Sequence, residues 1–170
     1  MRNLSLIATA AIAVLTPFAA SAQTAAPAPA PAEQLSTSPT PPGEDWNAVS
    51  RSTTRVYLVD VNSIKVSGDV SAITLARVPL HPAATTDHSY TLVELEYRCA
   101  AKQSRAVAET DHDEAGVALD RLETGDDFDA YNTDSLYGFI GAVVCDDARA
   151  SPPTFPSIAA FMDAGRVGGS

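Results

Sequence analysis

Sulfur, tryptophan and positive charge are all scarce in this sequence. Its 170 residues hold two cysteines, one tryptophan and two methionines, with 11 lysines and arginines against 21 aspartates and glutamates. The formal net charge is −10. A phosphate backbone or an anionic membrane surface is gripped by a basic face, so this balance argues against nucleic acid and anionic lipid as partners. Catalytic signatures are missing too. There is no G-x-S-x-G elbow to present a serine and no glycine-rich loop to cradle a phosphate. His81, His88 and His112 show no pairing at metal-ligand spacing. No enzymatic activity and no cofactor are expected.

Long apolar runs are also absent, apart from a short one at the start. Leu4 to Phe18 is apolar except for Ser5, Thr9 and Thr16, and it follows the basic Arg2. A spanning helix needs about 20 apolar residues, whereas Thr16-Pro17 interrupts this stretch and small residues end it. Ala20-Ser21-Ala22 matches the A-x-A cleavage pattern, which predicts a signal peptide over residues 1–22, cut between Ala22 and Gln23. The alternative is an uncleaved anchor. No cysteine lies at the cut, so lipid attachment is not expected. The product is expected to be periplasmic or secreted, without stable membrane insertion. Arg2 leaves with the signal, so ten bases remain against 21 acids and the mature charge is −11.

Residues 23–43 form a Pro/Ala/Ser-rich stretch that lacks core-forming side chains. It reads as a disordered, polyproline-like linker. Residues 44–168 then make one domain of ordinary size, large enough to bury a single core.

Period-2 alternation dominates the first part of that domain. Trp46 stands where the linker ends and is expected to plug the edge of the core. Thr54 to Asp60 reads as a strand, Val61 to Ile64 as a turn, and Ser67-Gly68-Asp69 as a second turn. Val70 to Val78 is a second strand, and Pro79 to Ser89 a loop that holds His81 and His88 in ordinary exposed positions. Tyr90 to Cys99 alternates most clearly. Tyr90, Leu92, Glu94, Glu96 and Arg98 share one face; Thr91, Val93, Leu95, Tyr97 and Cys99 share the other, buried one. Weaker strands follow at Gln103 to Thr110 and Gly116 to Leu122, with a short segment around Phe128 and Tyr131.

The period then lengthens. Leu136, Phe139, Ile140, Val143 and Val144 form the stripe of an amphipathic helix, capped by Thr133 or Asp134. Gly138 and Gly141 lower its propensity or mark a close approach to the sheet, and Val143-Val144-Cys145 also fits a short strand. After Pro152-Pro153 a second helix over Pro156 to Gly165 packs Ile158, Phe161 and Met162, and its Gly-Arg-Val-Gly-Gly-Ser end is expected to fray.

An even pair of cysteines in an exported chain is most simply one disulfide, Cys99–Cys145. Closing a loop of about 45 residues removes roughly 4 kcal/mol of denatured-state entropy in the chain-entropy model. The alternatives are two buried thiols or half of a metal site. The fold class that results is α+β: a small antiparallel β-sheet packed with one or two short helices and held by one disulfide.

Acidic residues crowd Glu109 to Asp134, where ten acids face the single base Arg121. A calcium loop starting at Asp111 meets positions 1, 3 and 6 with Asp111, Asp113 and Gly116. It puts Ala115 at position 5 and Leu122 where the bidentate ligand belongs. Asp126 to Asp129 fails likewise, so no metal site is expected and solvated acidic loops are the simplest reading.

Several short runs together resemble the surface-adhesin protein E-like domain. They are Trp46, Val56-Tyr57-Leu58-Val59-Asp60 with Asn62-Ser63-Ile64, the strand ending Glu96-Tyr97-Arg98-Cys99, Arg105, Gly116 and Val144-Cys145. Phe128 stands where that family tends to have tryptophan. The resemblance spans Trp46 to Cys145 and implies a small antiparallel sheet, one disulfide and a life in the Gram-negative envelope. The adhesin that names the family binds host matrix proteins, through a surface outside these motifs. The function expected is that of an exported, non-enzymatic envelope domain that binds another macromolecule, an envelope or extracellular protein. The alternatives are an enzyme or inhibitor using the acidic face, and a weak divalent-cation binder.

Overall fold

In the computed structural model of the chain, residues 43–167 are described; the expected signal peptide and most of the expected linker lie outside them. Seven strands make one antiparallel sheet: β1 (Trp46–Arg51), β2 (Arg55–Ser67), β3 (Val70–Pro79), β4 (Tyr90–Arg98), β5 (Gln103–His112), β6 (Ala118–Glu123) and β7 (Asp129–Ala130). The first six pair in sequence order, and β7 shares the outer edge of β5 with β6. Two helices follow, α1 (Leu136–Cys145) and α2 (Ile158–Asp163). The α+β fold class holds, with the weight on β.

Alternation along the strands feeds two cores, one on each face of the sheet. On one face Trp46, Ala48, Val56, Leu58, Ala76 and Val78 pack under Phe155, Ile158, Phe161 and Met162 of the α2 region. On the other, Val59, Ile73, Leu75, Val93, Leu95 and Tyr97 pack under Ile140 and Val143 of α1. Each fully buried aliphatic side chain stabilises the fold by about 1.5–3 kcal/mol relative to exposure. Trp46 is a core residue as expected, and its outward backbone groups pair with Phe155 in an isolated bridge.

The stretch Val61 to Ile64 is not a turn. β2 runs straight through it to Ser67, and a register shift between Asp60 and Lys65 absorbs the polar residues. The Asp60 carboxylate accepts from the backbone N–H of Asp45 at 2.9 Å and of Asn62 at 3.0 Å. The Ser63 hydroxyl donates to the Asp60 carbonyl at 2.7 Å and accepts from the N–H of Thr74 at 2.9 Å. These side chains supply the backbone partners that the irregular ladder lacks. The Asp-x-x-Ser spacing is thus a structural device.

α1 is a helix through Cys145, which excludes the strand alternative, and its cap is Ser135 rather than Thr133 or Asp134. Gly138 and Gly141 mark a close approach, to the chain at Tyr131–Thr133 rather than to the sheet. Phe139, expected on the packed stripe, is 47% exposed. The C-terminal end does not fray at Arg166, which is buried: its guanidinium donates to the Asp87 carbonyl and its own carbonyl accepts from Arg51. The Pro79–Ser89 loop is pinned from the same side. His88, expected to be exposed, is half-buried and contacts Asp163 of α2 at 3.1 Å.

Cys99 and Cys145 are joined, with their Cα atoms 5.5 Å apart. The bridge fastens the last residue of α1 to the end of β4. Tyr97 reinforces it, with its hydroxyl donating to the Tyr137 carbonyl at 3.1 Å and burial raising its pKa far above the ordinary value. Such a disulfide belongs to an oxidising environment of the exported kind.

Candidate functional site: an open sheet face

The α2 region covers β1–β3 and the Tyr90–Leu92 end of β4 on its face. Beyond it, the same alternation that builds the core carries Ala72 and Thr74 of β3, and Glu94, Glu96 and Arg98 of β4, onto an uncovered surface. Lys65 of β2 stands opposite Ala72 and joins them. A groove of about 420 Å3 runs here, floored by the small residues and walled by Lys65, Leu92, Glu94 and Glu96.

The charges on this face are paired across strands. Glu94 takes two hydrogen bonds from Arg121 of β6, at 2.7 and 2.8 Å, and Arg121 also reaches Glu123. Arg121 holds the Glu94 carboxyl below its usual pKa, and the two carboxylates raise that of Arg121 further. Glu96 receives both the Nε and an Nη of Arg105 on one oxygen, at 2.8 and 2.7 Å. Next to this pair, the guanidinium groups of Arg98 and Arg105 lie 4.1 and 4.5 Å from the centre of the Phe128 ring. β7 brings that ring in by pairing with Gln103 and Ser104.

Beside the groove, β6 is exposed at every residue and displays Leu119 and Leu122, 56% and 64% accessible. Both sides of this strand are exposed, and among the described residues it pairs with β5 alone, which leaves its outer edge open. A second recess, of about 550 Å3, lies between β1, α1 and residues 148–153; its lining is mainly apolar and includes Phe139.

The acidic loops are internally organised. Asp113 accepts from the N–H groups of Ala115 and Val117, and Asp111 from the Thr91 hydroxyl. Among the described residues, no group of three or more His, Cys, Asp or Glu side chains is placed to hold a metal ion. His112 stacks on Tyr90 at 4.1 Å, and His88 reaches Asp163. No described helix is long and apolar enough to cross a membrane.

The sequence places Glu94, Glu96 and Arg98 on one face. It does not reveal Phe128 between two arginines, because that contact depends on the two-residue strand β7. No protein family, curated protein or solved structure matches the chain.

Proposed function

We propose that the chain is an exported, non-enzymatic cell-envelope domain that binds another macromolecule through the open half of its sheet. The observation that carries this reading is the groove over Ala72 and Thr74, bordered by charge pairs already fixed in place and by the exposed β6 arm. Preorganised polar groups around a shallow, small-residue floor suit an extended or flat partner, because few side chains need ordering on contact.

The disulfide and the signal-like N-terminus support export, with cleavage between Ala22 and Gln23 and a periplasmic or secreted product. Membership of the surface-adhesin protein E-like family accords with the Asp60–Ser63 device and the Cys99–Cys145 bridge, which the matching motifs contain. The non-enzymatic reading rests on the sequence, which carries no G-x-S-x-G elbow and no glycine-rich phosphate loop.

Affinity capture from an envelope extract tests the reading. The immobilised chain is expected to retain a specific protein, and Thr74→Arg, which fills the groove, is expected to release it. Equal retention by both would refute the role of the groove.

A further inference from the structure

The sheet ends in β1 on one side and β6 on the other, and the two edges differ. At β1 the backbone of Trp46 is paired with Phe155. At β6 the edge is bare, because among the described residues this strand pairs with β5 alone. Its hydrogen-bonding phase is set by the residue that follows it: the Thr124 N–H donates to the Val107 carbonyl at 3.0 Å. Backbone groups alternate sides along a strand, so Leu122 turns its N–H and C=O towards β5, and Arg121 and Glu123 turn theirs outward.

The charge around this edge is of one sign. Glu109 to Asp127 holds eight acids and one base, a local charge of −8 + 1 = −7. The base, Arg121, is engaged by Glu94 and Glu123, and Glu109 is matched by Arg77 of β3. Asp111, Asp113, Glu114, Asp120, Asp126 and Asp127 have no ion-pair partner among the described residues. Charge on an edge strand guards it against another like edge. Two copies meeting at β6 would set −7 against −7, whereas a strand of opposite sign meets no such barrier.

We infer that β6 is a docking edge for an extended, lysine- or arginine-rich segment of the partner, which adds to the sheet as a further strand. The outward N–H and C=O groups of Arg121 and Glu123 supply the main-chain hydrogen bonds of strand addition. Asp120 and Glu123 on the strand face basic side chains across the new pair, and the surrounding free carboxylates draw the segment in. The inference rests on the reading of the domain as a binder of another macromolecule, and names the edge used and the chemistry of the segment it takes.

The test is an NMR titration of the purified chain at low ionic strength with three capped synthetic peptides: four Lys-Thr repeats, four Lys-Pro repeats and four Glu-Thr repeats. The Lys-Thr peptide is expected to shift the backbone amides of Arg121 and Glu123 saturably and to slow their hydrogen exchange at least tenfold. Lys-Pro carries the same charge but lacks alternate N–H groups. It is expected to bind at least tenfold more weakly and to leave exchange at both amides unchanged, and Glu-Thr is expected not to bind. Glu123→Pro removes an outward donor and no bond to β5, so it is expected to weaken Lys-Thr binding at least tenfold. If that variant disturbs the backbone spectrum, Asp120→Lys serves instead and is expected to weaken binding at least threefold. Thr74→Arg, in the groove, is expected to leave Lys-Thr binding unchanged, so groove-dependent capture and strand addition at β6 stand or fall separately. Equal binding of Lys-Thr and Lys-Pro, exchange at Arg121 and Glu123 that stays fast at saturation, or the same amides already protected in a dimer of the free chain would each overturn the inference.

Discussion

Gly138 has no room for a side chain against Thr133: a Cβ on its backbone would stand 2.3 Å from the Thr133 carbonyl oxygen. Replacing a helical glycine by alanine ordinarily gains about 1 kcal/mol. Here the added methyl collides with backbone that cannot swing aside. Gly138→Ala is expected to lose about 2–3 kcal/mol, the usual scale of overpacking. Gly141→Ala meets the Tyr131 ring, whose hydroxyl would lie 2.8 Å away; a side chain yields more readily, so its loss should be smaller. Urea denaturation of the two variants checks the order.

The Cys99–Cys145 bridge closes a sequence separation of 46 residues. Its removal, as Cys99→Ser with Cys145→Ser, is expected to lower stability by roughly 4 kcal/mol on the chain-entropy account. The denaturation midpoint of the double variant measures this, and non-reducing peptide mapping should recover the two cysteines joined.

Asp60 holds the irregular part of β2 in register through the N–H groups of Asp45 and Asn62. Asp60→Ala leaves both donors without that acceptor and is expected to cost about 1–3 kcal/mol. Asp60→Asn keeps a side-chain oxygen and should cost less. Hydrogen exchange at Asn62 should accelerate in the alanine variant.

Glu94 titrates below the ordinary carboxylate range because Arg121 hydrogen-bonds to its ionised form. Its contribution to stability is therefore complete above the unfolded-state pKa and is lost as the pH falls through the lower folded-state value. The groups are partly exposed, so the effect is screened by salt. Arg121→Gln is expected to move the Glu94 carboxyl upward, towards its ordinary value, in a carbon-13 NMR titration.

The alternation in β4 is legible because each residue of that strand faces either a core or open water, and burial follows the two-residue period. The register shift in β2 is not, because Asn62 and Ser63 carry turn-type composition and bond locally to Asp60 as turn residues do, while the contacts that keep them in the strand, to Gly43 and Thr74, are distant in sequence. Arg166 is hidden for a similar reason: an arginine that follows Gly165 in a glycine-rich run reads as frayed, while its acceptor, the Asp87 carbonyl, lies 79 residues away in sequence. The candidate face was half legible. Glu94, Glu96 and Arg98 follow from spacing, but Phe128 and Arg121 reach them only through the pairing of β7 and β6 with β5.

The chain has two lysines, and they divide its surface usefully. Lys65 borders the groove, whereas Lys102 lies in the β4–β5 turn at a left-handed backbone position. Cross-linking the complex captured from an envelope extract with a short amine-reactive reagent, followed by peptide mapping, locates the partner directly. The proposed binding face predicts cross-links through Lys65 that vanish when Thr74→Arg blocks the groove. Cross-links carried mainly by Lys102, or unchanged in Thr74→Arg, would contradict it.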